Sequence, residues 1–180
     1  MKGGLEIPLH GSVDNLKNVE QISPNFFGIL PEDYFGFKAK ILVKEGDSIL
    51  QGQAILEDKA NEGFFIRSPA TGVIDSINRG EKRALVSVII KQQTEESLEF
   101  KKSKNFNEEL NNSGLWDSFR ERPFNRVPAV NSTPDFIFVN ACRTDKLDLD
   151  PNLIIELESE YFLKGLQNLN KLASENVYLC

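Results

Sequence analysis

The residue that first suggests chemistry is Lys59, in Glu57-Asp58-Lys59-Ala60. A primary amine at the apex of a hairpin can carry a covalently attached arm. The arm swings only if the amine stands at the tip. The β-prone runs Ala54–Asp58 and Phe64–Arg67 put the loop centre on Asn61-Glu62-Gly63, with Gly63 taking a backbone angle other residues avoid. Lys59 then falls on the shoulder, and a solvated lysine paired with Glu57 or Glu62 is the better reading. Arg79-Gly80-Glu81-Lys82-Arg83 could grip a phosphate, because Gly80 lets the backbone approach and arginines offer forked donors. The simpler account is a solvated turn between strands Val73–Ile77 and Leu85–Lys91. Trp116 and Phe119 stand beside Arg120 and Arg122, a set that could bound a pocket for a planar, carbonyl-bearing molecule. Their apolar spacing is already explained by an amphipathic brace, which is the favoured reading. His10 is the only histidine and has no ligand-spaced Cys or carboxylate neighbours, so it reads as a loop histidine rather than a metal ligand.

These residues hang on a stretch of short β-prone runs from Ile41 to Lys91, punctuated by Gly, Asp, Pro and Asn turns. Val43-Lys44-Glu45-Gly46-Asp47 and Gly52-Gln53 mark a first half; Ser68-Pro69 and Gly72-Val73-Ile74 mark a second. Gly46 and Gly72 are expected in matching tight turns. Two such halves close on each other and leave few exposed edges. The stretch resembles the biotinyl/lipoyl type of domain. Lipoyl domains carry their modified lysine in a similar Asp-Lys-Ala at a hairpin tip. Here the gap from Gln53 to Lys59 is shorter than theirs, and the Met-Lys-Met of biotin carriers is absent, so a carrier role for Lys59 is rejected. The aromatics of Phe26–Lys40 read as packing that seals one end of the barrel.

Beyond Lys91 the composition turns polar, and residues 92–112 read as a linker or surface connection. Ser113 is expected to cap a short helix carrying Leu115, Trp116 and Phe119 on one face, ended by Pro123. Phe136-Ile137-Phe138-Val139 is a continuous apolar run, as in a strand covered on both faces. Asp150 and Pro151 open a helix with apolar positions Ile154, Leu157, Tyr161, Phe162, Leu166, Leu169 and Leu172 and a break near Glu158. Asn176–Cys180 is the next strand. That is a β-α-β unit, but the loop Asn140–Asp145 holds no glycine-rich phosphate cradle. The expected architecture is α+β. Residues 1–100 form a barrel-sandwich domain with an N-terminal extension. Residues 101–134 are a linker with a short helix. Residues 135–180 are the first β-α-β of a truncated Rossmann-like domain.

A net charge of −6 argues against nucleic acid as a partner. The apolar runs are too short to cross a bilayer, which takes about 20 residues. The start lacks the apolar core of a signal peptide. Two cysteines, Cys142 and Cys180, outside any CxxC fit a reducing compartment, so a cytoplasmic protein is expected.

Gly28-Ile29-Leu30-Pro31-Glu32-Asp33-Tyr34-Phe35-Gly36, Val43-Lys44-Glu45-Gly46-Asp47, Ile77-Asn78-Arg79-Gly80, Ser113-Gly114-Leu115-Trp116 and Arg122-Pro123-Phe124 together resemble the A subunits of sodium-translocating NADH:quinone reductases. The order and spacing match across nearly all of the chain. The resemblance implies a bacterial respiratory complex that passes electrons from NADH to ubiquinone and pumps sodium. It implies a fold similar to the C subunit of Rnf complexes and the flavoprotein subunit of complex I. It further implies a peripheral location on the cytoplasmic face of the inner membrane, with the other subunits as partners and no cofactor bound by this chain. Ubiquinone is then a candidate ligand of the full complex, with Trp116, Phe119, Arg120 and Arg122 as candidate quinone or partner contacts. Members of that family are much longer, so the chain is expected to be an N-terminal part. The alternatives are a lipoyl or biotin carrier, resting on Lys59, and a flavin- or nucleotide-binding oxidoreductase domain, resting on the β-α-β unit.

Overall fold

The structure, a computed structural model, describes residues 22–100, 103–142 and 150–180. His10 and the part of the N-terminal extension before residue 22 lie outside these residues, as do Arg143, Thr144 and Asp145 of the Asn140–Asp145 loop. Contacts divide the chain into two compact units, Ile22–Ser132 and, over its described residues, Thr133–Cys180.

In the first unit, alternating β-branched residues build two antiparallel sheets. One has strand order β1-β7-β6-β3, with β1 at Phe26–Ile29, β3 at Ser48–Ile49, β6 at Thr71–Arg79 and β7 at Leu85–Thr94. The other has order β2-β4-β5, with β2 at Ala39–Ile41, β4 at Ala54–Asp58 and β5 at Phe65–Arg67. Among the described residues neither sheet closes into a barrel. The core lies between them and holds Ile55, Leu56, Phe64, Ile74, Val88 and Ile90. Ile55 and Leu56 are adjacent in the chain yet both buried. A bulge between Ala54 and Leu56 breaks the two-residue alternation that would turn one of them outward. Phe37 packs edge-on against Phe64 at 6.1 Å and covers the core, while Phe26 and Phe35, expected to pack with it, are exposed.

The two halves of the stretch interlock through backbone. Gly46 N–H donates to Ile74 O at 2.8 Å, and Ile74 N–H donates back to Asp47 O at 2.9 Å. Gly52 N–H donates to Ser68 O, and Ser68 N–H to Gln53 O, both at 2.8 Å. Gly46 occupies the expected turn, with φ +87°. Gly72 does not. It lies within β6, where a Cβ would sit 1.9 Å from the Lys91 carbonyl oxygen. The pairing shifts there between Thr71↔Thr94 and Gly72↔Gln92, and the bulge drives the two backbones together.

The polar stretch after β7 is not all connection. Helix α1 runs Phe106–Asn112, with the Asn105 side chain accepting from Asn107 N–H and Glu108 and Glu109 in the first turn. Ser113 therefore caps the end of this helix instead of opening the next. Trp116–Ser118 is a single 3-10 turn, and Leu115 is exposed rather than sharing a face with Trp116.

In the second unit, β8 (Phe136–Val139) and β9 (Asn176–Leu179) pair in parallel, joined through α2 (Pro151–Leu157) and α3 (Ser159–Leu169). Asp150 caps α2 by accepting from Asn152 N–H at 3.0 Å, with Pro151 first in the helix. The helix breaks at Glu158, with φ −118° and ψ 32°. The break changes the phase of the apolar stripe. Phe162, Leu166, Leu169 and Leu172 are half-buried or buried, while Ile154, Leu157 and Tyr161 are exposed. The expectation that β8 is covered on both faces does not hold among the described residues. Ile137 is 8% exposed and Phe138 67%, so only the Ile137 face is packed.

The close approach at Gly72 sets a test. Gly72→Ala should cost more than about 3 kcal/mol, because the clash is with backbone, whereas exposed Glu62→Ala should change stability by less than about 0.5 kcal/mol. Urea unfolding of the two variants beside wild type measures this. Equal midpoints for Gly72→Ala and wild type would show that the strands are not in this register.

Candidate functional site

Lys59 follows β4 directly and is exposed. The turn comes later: Phe64 N–H donates to Asn61 O at 3.0 Å, and Gly63 has φ +83°. Asp58 shapes the shoulder, its Oδ1 accepting from Lys38 N–H and Ala60 N–H at 3.0 and 2.9 Å. Glu57, expected to pair with Lys59, is held by Lys40 at 2.7 Å across β2 and β4. Arg79–Arg83 is an exposed turn in which Lys82 and Arg83 take positive φ and Arg79 folds back onto the Arg83 carbonyl at 3.2 Å. Among the described residues no three His, Cys, Asp or Glu side chains converge on a metal position.

The four residues around Trp116 are only partly brought together. The indole is 1% exposed, and its Nε1–H donates to Pro128 O at 2.9 Å. Asn61 Nδ2 donates to the same carbonyl at 2.9 Å. Trp116 thus binds the loop Trp116–Pro128 onto the β4–β5 turn. Phe119 is half-buried with its ring 5.4 Å from the indole. Arg120 is exposed and its Nη1 donates to the carbonyls of Asp117 and, at 2.8 Å, Phe119. Arg122 is exposed as well. The aromatics brace the unit, and the arginines remain on its surface.

A recess in this unit lies around Arg67 and Asp117, which sequence spacing did not connect. It holds about 440 Å³ and is lined by Tyr34, Phe65, Arg67, Leu98, Phe100 and Asp117, with Gly52 and Gly114 at its edge. Arg67 ends β5 and is half-buried. Its Nε donates to Asn111 O at 3.0 Å, Nη1 to Gly52 O at 3.0 Å and Nη2 to Asn112 Oδ1 at 3.1 Å. It therefore ties the end of α1 to the sheet, where the helix presents the negative end of its dipole. The Asn111 side chain adds a bond to Gly63 O at 2.7 Å. Across the recess the Tyr34 hydroxyl donates to Asp117 Oδ2 at 3.4 Å. Burial pushes the Asp117 carboxyl above its ordinary 3.8, with the Tyr34 hydrogen bond and Arg120 opposing. Burial, then the Asp117 charge, raises the Tyr34 phenol, and burial lowers Arg67. The missed helix α1 had a readable start, Asn105 followed by Glu108 and Glu109. No sequence signal pairs Arg67 with it.

Two family profiles cover this chain: the NqrA N-terminal barrel-sandwich hybrid domain over residues 1–93, and the NqrA second alpha/beta domain over residues 101–180. The chain belongs to the NqrA family. It is 38% identical over 191 residues to the A subunit of the Na(+)-translocating NADH-quinone reductase of Pasteurella multocida, covering 100% of this chain and 42% of that protein. The A subunits of the same name from Glaesserella parasuis and Yersinia pseudotuberculosis are 36% and 37% identical, with 43% and 42% of their lengths covered. The chain therefore spans less than half of the curated relatives it matches. The family boundary at residue 101 precedes the structural one at Thr133, because α1 and the Trp116 turn pack within Ile22–Ser132.

Lys59→Ala should leave the melting temperature within about 1 °C of wild type, as exposed substitutions do; a large fall in a thermal melt would mean the shoulder depends on that amine. Asp117 yields a pH test. Its raised pKa means the folded state holds the proton longer than the unfolded chain, so stability falls as pH rises above about 4. Asp117→Asn should therefore gain on wild type between about pH 4 and 7. Denaturant midpoints measured across that range check it, and parallel curves would remove the burial argument.

Proposed function

We propose that this chain works as a peripheral part of a sodium-pumping respiratory NADH:ubiquinone oxidoreductase, holding and docking other subunits while electron transfer to quinone drives sodium export. The observation that carries the reading is similarity over the whole chain, at 36–38% identity, to the A subunits of Na(+)-translocating NADH-quinone reductases. Two structural features support a scaffolding role. The unit Ile22–Ser132 ties its barrel to the following helix and turn through Arg67, Asn111 and Trp116. Among the described residues no helix is long and apolar enough to cross a membrane. In this reading the chain sits on the cytoplasmic face and binds no flavin, iron–sulfur cluster or metal itself. Quinone approaches at the Trp116 loop. Trp116 and Phe119 hold that loop in place, and the exposed Arg120 and Arg122 offer donors to a quinone carbonyl.

The full polypeptide, tagged in its host, tests both levels. Copurification from membranes with a complex that shows NADH-driven, sodium-dependent quinone reduction is expected. The tagged protein alone should show neither visible flavin absorbance nor added mass on Lys59. Recovery free of membranes, or with a bound flavin, overturns the assignment. Arg120→Ala with Arg122→Ala should raise KM for quinone about tenfold while the complex still assembles. An unchanged KM removes the quinone role and leaves the docking one.

A further inference from the structure

Arg67 presents a mismatch between charge and surroundings. It is half-buried, and the acceptors of its hydrogen bonds are the neutral Asn111 O, Gly52 O and Asn112 Oδ1. Among the described residues no carboxylate forms an ion pair with it. A guanidinium has five N–H donors, one on Nε and two on each terminal nitrogen. The three bonds use one on each nitrogen, so one N–H remains on Nη1 and one on Nη2. Such a pair matches the two oxygens of a carboxylate. The cation is also held in apolar company, with its centre 5.8 Å from the Phe65 ring and 5.7 Å from the Phe100 ring. The ring faces attract the cation, whereas its half-burial disfavours the bare charge, and an anion alongside would offset that burial.

The recess beside Arg67 holds about 440 Å³ and is open to solvent, with Phe65, Leu98 and Phe100 supplying apolar wall among polar groups. Its charge limits what fits. Asp117 lines the same recess, and it bonds Tyr34 rather than Arg67. A phosphate, with a charge of roughly −1.5 to −2, would overmatch one guanidinium and meet that acid. A single carboxylate balances Arg67 and keeps its body against the rings. Gly52 leaves room for the Phe100 ring, since a Cβ there would come within 2.6 Å of it.

We propose that the recess at Arg67 binds a small organic monocarboxylate with an apolar body, its two oxygens on Nη1 and Nη2 and its body against Phe65 and Phe100. The site stands independently of the respiratory reading, because binding to this chain requires no other subunit.

Benzoate, its uncharged analogue benzamide and inorganic phosphate are the probes, titrated into the intact protein by calorimetry and by amide NMR. Benzoate should saturate and shift the amides of Gly52, Ser97 and Gly114. Benzamide should bind ~10-fold more weakly or not at all. Phosphate at equal concentration should not displace benzoate. Arg67→Gln should weaken benzoate ~10-fold or more, and Phe100→Ala severalfold, with amides of the β6–β7 hairpin unmoved. Because Arg67 also ties α1 to the barrel, the wild-type benzoate and benzamide comparison and Phe100→Ala decide the matter if Arg67→Gln does not fold. Silent amides at the recess, equal binding of benzamide, or competition by phosphate as strong as by benzoate overturns the proposal.

Discussion

The contact on which the barrel depends is the approach of β6 to β7 at Gly72. A hydrogen atom is all that fits between that Cα and the Lys91 carbonyl. The approach sets the register of the longest hairpin, and the hairpin in turn places Ile74, Val88 and Ile90 in the core. β6 also carries two of the inter-half bonds, since Ile74 exchanges backbone hydrogen bonds with Gly46 and Asp47. A shift of one residue would turn the apolar face of β6 to solvent and break that exchange at the same time. Register is therefore held by backbone geometry and burial together.

The attachment of α1 follows a different physical logic. The helix runs Phe106–Asn112, too short to be stable by itself. Its C-terminal carbonyls accept from the N–H groups of Ser113, Gly114 and Leu115, Arg67 on β5 adds a bond to the Asn111 carbonyl, and the Asn111 amide reaches the turn at Gly63. One arginine thus joins strand, turn and helix. Among the described residues the same arginine has no carboxylate partner, and the recess beside it opens where strand, helix end and the Leu98–Phe100 segment meet. A scaffold that uses a charged side chain as a strut leaves that charge available to a ligand.

The unit beginning at Thr133 shows a parallel pair packed on one face. Across β8 and β9, Tyr178 stacks on Phe138 at 5.2 Å and meets Phe136 in a tilted contact at 6.0 Å. The opposite face carries Ile137, which is buried. Parallel sheets are normally covered on both sides. The aromatic contacts across the strands stabilise the pairing even where no second layer is described.

Local signals made much of this legible. The turns at Gly46 and Gly63, the strands β4 to β7, the Asp150–Pro151 helix start and the break at Glu158 all depend on residues close together in the chain, where glycine, proline and capping side chains act directly on backbone angles. The family could be read the same way, because its motifs are short and their order survives. The long-range facts were not legible. Gly72 read as a turn residue, since a turn and a close strand crossing both call for glycine, and only the partner strand distinguishes them. Ser113 read as the start of a helix because the hydroxyl that can open one can also close another. Arg67 carried no sequence signal at all. Its partners at Gly52, Asn111 and Asn112 are brought to it by the fold, which half-buries the charge without setting an acid of the described residues against it. The chain by itself determined which segments bend, extend or coil. The tertiary structure decided which of them meet, because burial and charge pairing depend on neighbours that are distant in sequence.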